Sequence, residues 1–391
     1  MMRRILLGWE LGGGLAHIVF LREIARRIEK MQACEFLFAL KTPQHGVAAG
    51  LPDHSVIAVP APQRAVGGTQ LQKRDTFGAQ VSEHLMIEEG AFASRLAGWE
   101  NIIRNFDPHL IIADYSPGLS LFARGRWPVV VVGSGYTLPP PEMEIFPPMV
   151  KLNRPLHDSE PEIIDRLNAD LVKIGAKPIE RLPQLNEADA YGLATIPIFD
   201  PYRSQRQQPY LGFEIPGGPP TPLATASGGI AYFHEDAQLH DNVLDGLMGA
   251  NTETIAYFGS PLRRAIKKFE GSRVHLSAKP LKLREDMPGR AVAVHKGGLG
   301  FAIAAVLAGV PQVLLHSHQE NRFNANVIVN AGAGVSARYK DVNADVLSEA
   351  IDRVVASSAM REQALLLAEQ NAEFRDAVPA QVIAGMAAQF F

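Results

Sequence analysis

The chain has 391 residues, of which 47% are hydrophobic, and this is enough to bury two cores of ordinary domain size. A net charge of −3 and a pI near 6.5 argue against nucleic-acid binding. The single cysteine, Cys34, excludes a disulfide framework, and no apolar tract of about 18 residues indicates a membrane span. We therefore expect a cytoplasmic protein of two domains. Its oligomeric state is left open, and peripheral membrane contact is compatible with the sequence.

Short apolar strands alternate with amphipathic helices in both halves of the sequence. Such alternation is typical of parallel sheets with helices on both faces. The predicted fold class is therefore α/β, with two Rossmann-like domains.

The first predicted elements are a strand at residues 4–9, a glycine-rich turn at 12–14 and a helix at 15–30. Residues 1–11 look like a signal peptide, but Glu10 and the glycines interrupt the apolar run and no small-residue cleavage site follows. His17 lies in the first turn of the helix, at the edge of the predicted sheet. A lone histidine at such a place is more often a structural or surface residue than a catalytic one.

The region 77–105 is predicted to be helical, and a proline-rich segment follows at 138–148. Several side chains of this half could line a ligand pocket: Glu83, His84, Met86, Phe92, Trp99 and Tyr136. The helical spacing of those in 77–105 is also what an ordinary amphipathic helix shows, so both interpretations stay open.

A strand is predicted to run from Asp107 to Asp114. A histidine that acts as a base works best when a carboxylate fixes its tautomer and stabilises the imidazolium, and Asp114 is the candidate partner of His17. The alternative is that Asp114 caps the helix that begins near Pro117.

Proline and glycine are concentrated between residues 199 and 225 and disfavour helix and strand interiors there. This density predicts the boundary between the domains. We expect an N-terminal domain at 1–205, a linker at 206–225, a C-terminal domain at 226–375 and a last, apolar helix at 376–391.

Residues 291–334 combine a strand, a turn with the sequence His-Lys-Gly-Gly-Leu-Gly, a helix and a second strand. The glycines let amide N–H groups face outward at the start of the helix, where anions bind. Glu320 and Asn321 follow the second strand and could hold sugar hydroxyls. Because two polar clusters at the ends of neighbouring strands face one crevice, the pattern favours a phosphate and sugar pocket over plain packing.

These segments resemble the nucleotide-sugar-dependent glycosyltransferases of the GT-B fold, the family of UDP-glucuronosyl, plant natural-product and macrolide transferases. The sequence from His295 to Gly300, followed by Ala-Gly-Val-Pro, is similar to the His-x-Gly-Gly donor signature of the family. Glu-Asn-Arg-Phe-Asn-Ala from Glu320, with Gly-Ala-Gly from Gly332, resembles its continuation. Residues 255–260 are similar to a family strand that ends in Gly-Ser at the phosphates.

The resemblance implies two domains that face each other across a cleft, with the last helix packed back on the N-terminal domain. It also implies that His17 is the catalytic base and Asp114 its partner. The implied donor-binding residues are Gly13, Gly14, Gly259, Ser260, His295, Lys296, Gly297, Gly298, Leu299, Gly300, Glu320 and Asn321. The nucleobase region would be Lys279, Pro280 and Leu281. The pocket of the N-terminal half, with His84, Met86, Phe92 and Tyr136, would bind the acceptor.

The implied activity is that of an inverting, metal-independent glycosyltransferase of the hexosyltransferase type. It would move a sugar from a nucleotide sugar, UDP- or TDP-linked, to a hydroxyl of a small-molecule acceptor, without a bound cofactor or metal. The absence of an Asp-x-Asp motif agrees with this. Two alternatives are a GT-B-fold epimerase or hydrolase of nucleotide sugars and a non-catalytic auxiliary protein of a partner transferase.

Three positions depart from the family pattern. Residues 275–280 lack the tryptophan that many members stack on the nucleobase, which leaves the base open. Asn321 replaces the usual glutamine and is shorter by one methylene, which leaves the sugar open. Lys296 occupies a site that is often small, from which it would either salt-bridge the diphosphate or point to solvent.

Overall fold

The computed structural model describes residues 2–13, 15–60, 76–86, 90–149, 159–215, 225–259 and 263–391. The chain divides into two compact units. The first comprises Met1–Thr195, Asp200–Leu211 and Pro379–Phe391, and the second comprises Ile196–Phe199 and Gly212–Val378. Each unit contains a six-stranded parallel sheet within the described residues, and the predicted α/β class with two Rossmann-like domains is confirmed.

The strands alternate with helices along the chain. The strands are β1 (Arg3–Trp9), β2 (Cys34–Leu40), β3 (Val56–Ala58), β4 (Leu110–Asp114), β5 (Val129–Gly133), β6 (Ala190–Leu193), β7 (Gly229–Tyr232), β8 (Thr254–Tyr257), β9 (Val274–Leu276), β10 (Val292–His295), β11 (Gln312–His316) and β12 (Gly334–Arg338). The central strands β4 and β5 are buried along their whole length, since helices cover both faces of each sheet.

The helices are α1 (Ala16–Met31), α2 (Pro43–Ala48), α3 (Phe77–Leu85), α4 (Ala91–Phe106), α5 (Pro117–Ala123), α6 (Glu160–Lys173), α7 (Asp241–Gly249), α8 (Arg263–Phe269), α9 (Leu283–Asp286), α10 (Leu299–Leu307), α11 (Gln319–Asn330), α12 (Ala344–Ala356), α13 (Ser358–Gln370) and α14 (Pro379–Ala387). No helix in the described parts of the chain is long and apolar enough to cross a membrane.

Both sheets have the same topology. The strand order is β3-β2-β1-β4-β5-β6 in the first and β9-β8-β7-β10-β11-β12 in the second. The order reverses direction between β1 and β4, and again between β7 and β10. In open parallel sheets ligands bind outside the carboxyl ends of the strands at such a switch point. The residues that follow these four strands are therefore the first candidates for a functional site.

Helix α14 belongs to the first unit although it is the last in the chain. It packs against α1 and β6, and Ile383 lies against Gly192, where an added Cβ would come within 2.6 Å of its side chain. Nη1 of Arg27 donates to the side-chain oxygen of Gln381 at 3.2 Å. The last helix thus completes the first sheet's helical layer.

Part of the predicted linker is ordered within the first unit. Asp200 accepts hydrogen bonds from Nε of Arg206 at 2.7 Å and from the Tyr210 hydroxyl at 2.9 Å, and the ion pair is buried. Proline-rich sequence therefore does not prevent a fixed conformation up to residue 211. Residues 216–224 of the predicted linker lie outside the described residues.

Candidate active site

His17 and Asp114 meet at the switch point of the first sheet. Asp114 is the last residue of β4 and pairs in register with Trp9, the last residue of β1, while His17 lies in the first turn of α1. Nδ1 of His17 is 2.9 Å from Oδ2 of Asp114. The carboxylate is buried with a side-chain exposure of 3%, whereas the imidazole is 19% exposed. This geometry places the ring proton on Nδ1, so that Nε2 carries the lone pair of the neutral imidazole.

Aromatic rings hold the imidazole in place. Trp9 stacks on His17 with ring centroids 5.3 Å apart, and Tyr115 lies 6.3 Å away at a tilt of 35°. Tyr115 has a φ of +44°, a left-handed conformation that is costly for a tyrosine and that is more common at functional sites. The N–H of Leu11 donates to the carbonyl of Tyr115 at 3.0 Å, which fixes the turn at Tyr115 against the end of β1.

Gly12 separates His17 from Tyr115. Its φ is +84°, and an added Cβ would come within 3.1 Å of both Nε2 of His17 and the Tyr115 ring. The positive φ favours glycine here, and a larger side chain would also press on the two rings. The neighbouring Gly13 is exposed, and a Cβ added there would have no heavy atom within 4 Å, while Gly14 lies outside the described residues.

Helix α5 is not capped by Asp114. Instead, the carboxylate of Glu10 accepts from the backbone N–H groups of Gly118 at 2.7 Å and Leu119 at 3.2 Å, in the first turn of that helix. Glu10 thus fills the capping role that the sequence left open for Asp114. In the sequence Glu10 is noticeable only as an interruption of an apolar run, so this contact was not predicted.

The predicted acceptor residues fall in different environments. Phe92 and Trp99 are buried in the core, at 1% and 0% exposure, because they form the inward face of α4. His84 and Met86 are half-buried at the end of α3. The helical spacing that suggested a common pocket is explained, for Phe92 and Trp99, by ordinary packing.

Tyr136 belongs to a chain of hydrogen bonds that reaches Tyr115, beside His17 and Asp114. We call His17 and Asp114 the dyad. Its hydroxyl donates to the side-chain oxygen of Gln80 at 2.9 Å, and the amide nitrogen of Gln80 donates to the hydroxyl of Tyr115 at 3.1 Å. Phe77 packs against both tyrosines. Of these residues only Tyr136 was predicted, since the others come from segments without a motif.

In the second unit, His295 shapes the turn after β10. The N–H of Gly297 donates to Nδ1 of His295 at 3.1 Å, and Nε2 lies 2.9 Å from the side-chain oxygen of Gln312. His295 is 1% exposed, and burial lowers its pKa to about 4 although the hydrogen bond to Gln312 acts in the opposite direction. The ring is therefore neutral at pH 7 and contributes through the shape of the turn.

The same turn packs against the start of α11. Gly297 has a φ of +85°, and an added Cβ would come within 2.9 Å of the carbonyl oxygen of Asn321. The amide of Asn324 donates to the Gly297 carbonyl at 2.9 Å. Asn321 is buried and Glu320 half-buried in the first turn of α11. The two predicted polar clusters therefore do come together.

Lys296 forms an ion pair and packs on an aromatic ring, so it does not point to open solvent. Its Nζ donates to Oδ2 of Asp236 at 2.6 Å and lies 4.2 Å from the centroid of the Tyr339 ring. Burial acts to raise the pKa of Asp236, but the hydrogen bond and charge of Lys296, with nearby His234 and His240, lower it overall. His234 and Asp236 follow β7 at the switch point, and no motif in the sequence marks them.

Gly259 follows β8, which lies one strand away from the switch point between β7 and β10. Ser260 lies outside the described residues. In the predicted nucleobase region Lys279 and Pro280 are exposed, whereas Leu281 is buried in the core of the second unit. Within the described residues no cluster of His, Cys, Asp or Glu has the composition of a metal site.

Comparisons with known proteins identify relatives of this chain. Residues 242–388 match the family model of the C-terminal domain of erythromycin biosynthesis protein CIII-like proteins. The L-demethylnoviosyl transferase of Streptomyces niveus is 26% identical over 321 residues, which are 80% of this chain and 78% of that protein. The dTDP-epi-vancosaminyltransferase of Amycolatopsis orientalis is 24% identical over 223 residues, 49% of this chain and 52% of that protein. The chain is an enzyme of the glycosyltransferase type with the GT-B fold, and the comparisons support the natural-product type.

Solved structures of other glycosyltransferases share the fold of this chain. The calicheamicin glycosyltransferase CalG4 aligns with a TM-score of 0.67 at 18% identity, covering 100% of this chain and 98% of that one. The glycosyltransferase VinC, solved in complex with dTDP, aligns with a TM-score of 0.64 at 15% identity over 99% of each chain. The predicted family resemblance and the prediction of a glycosyltransferase are confirmed.

Proposed function

We propose that this transferase moves a sugar from a nucleoside diphosphate sugar to a hydroxyl of a small-molecule acceptor with inversion at the anomeric carbon. The observation that carries the proposal is the 2.9 Å contact between Nδ1 of His17 and Oδ2 of Asp114 at a switch point. A partly exposed imidazole held by a buried carboxylate is suited to act as a general base.

In the proposed step, Nε2 of His17 takes the proton of the acceptor hydroxyl as its oxygen attacks the anomeric carbon. The bond from that carbon to the diphosphate breaks, and the diphosphate leaves with the bonding electron pair. Asp114 keeps the other ring proton on Nδ1 and stabilises the imidazolium that forms. A single displacement of this kind inverts the configuration.

The donor is proposed to bind at the turn 296–300 of the second unit. Gly298 is exposed and precedes α10, so the amides of the first helical turn and the helix dipole would stabilise the leaving diphosphate. Lys296 adds a positive charge nearby, and Glu320 and Asn321 are proposed to contact the sugar. Gly13, Gly259 and the loop 279–281 remain proposed contacts of the donor.

The nucleotide is proposed to be TDP or UDP. VinC was solved with dTDP, and one curated relative is named for a dTDP-linked sugar, which supports the thymidine nucleotide. The acceptor is proposed to be a small molecule with a hydroxyl group, in keeping with the natural-product type of the enzyme.

Thermal unfolding in the presence of nucleoside diphosphates tests the donor site. A diphosphate at about 100 times its dissociation constant should stabilise the protein by roughly 2.7 kcal/mol. We expect TDP or UDP to raise the melting temperature and Gly298→Asp to abolish this shift. Gly385→Asp is the matched control, because Gly385 also has no neighbour within 4 Å of an added Cβ but lies in α14. A panel in which no diphosphate shifts the melt would contradict the proposed donor site.

A further inference from the structure

A fully buried carboxylate joins the two chain segments that carry the dyad. Oε1 of Glu10 accepts from Nη1 of Arg95 and from Nε1 of Trp99, both at 3.0 Å. Its Oε2 accepts from the N–H groups of Gly118 and Leu119 at 2.7 and 3.2 Å. The side chains of Glu10 and Arg95 are 0% and 1% exposed. We call Glu10, Arg95, Trp99 and the two backbone N–H groups the Glu10 cluster.

The position of the Glu10 cluster relates it to catalysis. Glu10 directly follows Trp9, whose ring stacks on His17. Gly118 lies four residues after Asp114, in the helix that follows the end of β4. The carboxylate therefore ties the segment that supports the imidazole to the segment that supplies its partner.

The atoms around the Glu10 carboxylate are closely packed. An added Cβ on Gly118 would come within 2.6 Å of Oε1 of Glu10, and one on Gly8 would come within 2.4 Å of the Leu119 side chain. A side chain at either glycine would therefore force Glu10 or Leu119 to shift. A second contact, the hydrogen bond from the N–H of Leu11 to the carbonyl of Tyr115, joins the same two segments.

A buried ion pair is a costly way to hold a fold together. Two apolar side chains of similar volume often serve stability equally well, because the charges must be taken out of water. A carboxylate instead fixes the relative positions of its donors, because it accepts several hydrogen bonds at defined geometry. Four donors from two segments of the chain specify where the ends of β1 and β4 lie.

We propose that Glu10 is a positioning residue of the transfer reaction, which acts by fixing the separation of His17 and Asp114. This inference rests on the proposed function of the dyad. Glu10 does not touch the imidazole, and its effect on transfer passes through the 2.9 Å contact between Nδ1 and Oδ2. Loss of the cluster lets the two segments separate, and a small displacement of a base is enough to slow catalysis by about 10²-fold.

A double-mutant cycle separates positioning from mere stabilisation. Alone, Asp114→Asn is expected to lower kcat by about 10²- to 10⁴-fold and Glu10→Gln by about 10²-fold. In the Asp114→Asn background, Glu10→Gln should lower kcat by less than about threefold, since residues that act as a unit are not additive. An equal loss in both backgrounds, or no loss from Glu10→Gln alone, overturns the proposal.

The matched control is Asp200→Asn. It breaks an ion pair with Arg206 that is equally buried, at 0% and 2% exposure, in the same unit. Any loss it causes should be the same in both backgrounds, because the hydrogen bonds of Asp200 run to Tyr202, Arg206 and Tyr210 rather than to the dyad or the Glu10 cluster. Glu10→Gln/Arg95→Met, which removes both charges together, replaces Glu10→Gln in the cycle where the single variant does not fold.

A substrate-free measurement tests the same geometry. The proton of His17 that is hydrogen-bonded to Asp114 should give a downfield ¹H NMR signal, which is assigned by its loss in His17→Ala. We expect Glu10→Gln to broaden or abolish this signal and Asp200→Asn to retain it. An intact signal in folded Glu10→Gln overturns the proposal. If Asp114→Asn leaves kcat unchanged, the proposed function of the dyad fails, and the NMR result alone then decides the role of Glu10.

Discussion

Nδ1 of His17 and Oδ2 of Asp114 lie 2.9 Å apart although the two residues are separated by 97 positions in the sequence. The contact follows from topology. β1 and β4 are neighbours in the sheet, and Trp9 and Asp114 end them at the same level. Helix α1 begins close to Asp114, the last residue of β4. The order of the strands in the sheet therefore brings His17 and Asp114 together.

Replacing Asp114 with asparagine removes the charge that faces the imidazolium. We expect kcat to fall by about 10²- to 10⁴-fold with little change in the KM for the donor, because the carboxylate acts on the base rather than on the nucleotide. Asp107→Asn is the control. Asp107 begins the same segment, but it forms an exposed ion pair with Arg4, and initial rates should be unchanged. Equal rates for the two variants would exclude Asp114 from the mechanism.

Two neighbouring glycines of the donor turn should differ in their tolerance of alanine. Gly297 has a positive φ, and an added Cβ would come within 2.9 Å of the Asn321 carbonyl oxygen, so Gly297→Ala should destabilise the protein by about 1–3 kcal/mol. Gly298 has a φ of −62° and open space around a Cβ, and Gly298→Ala should stay within about 0.5 kcal/mol. Urea unfolding followed by far-UV circular dichroism compares them. Similar midpoints for both variants would contradict the geometry of the turn.

The buried imidazole of His295 predicts a loss of stability in mild acid. Burial lowers its pKa from 6.5 to about 4, so between these values the unfolded chain binds a proton that the folded chain does not. The stabilisation is complete above pH 6.5 and is lost as the pH falls toward 4, by up to about 3 kcal/mol. Urea midpoints measured across this range should fall more steeply for the wild type than for His295→Asn. Parallel curves would show that His295 does not carry this effect.

We expect Asp236 to lower the affinity of the protein for the nucleoside diphosphate. Its carboxylate neutralises Lys296 at the end of β10, and in the proposed donor complex it lies near a second anion. We expect Asp236→Asn to tighten binding of the nucleoside diphosphate by about 3- to 10-fold and Lys296→Met to weaken it, both less so at high salt. Calorimetric titration measures this. Asp245→Asn, which breaks another ion pair of the second unit, is the control and should leave the affinity unchanged.

The sequence predicted the parts of the site that depend on local pattern. His17, Asp114 and the turn 295–300 each stand at or shortly after the end of a strand that apolar runs and glycines identify. Because parallel strands present their carboxyl ends at one edge, the position in the sequence was enough to place these residues near that edge of their own sheet.

The sequence did not predict the contacts of Glu10 and Lys296, because these depend on which elements become neighbours in the fold. Glu10 is held by donors 85 to 109 positions away, and Lys296 by an aspartate 60 positions earlier. No local periodicity encodes such distances.

The rate of sugar transfer by His17→Ala in a single turnover tests the central claim most directly. With donor and acceptor both saturating, this measurement isolates the chemical step from binding and product release. We predict a fall of about 10²- to 10⁴-fold relative to the wild type, with an unchanged melting temperature shift in the presence of the nucleoside diphosphate. Transfer at the rate of the wild type would show that His17 is not the base.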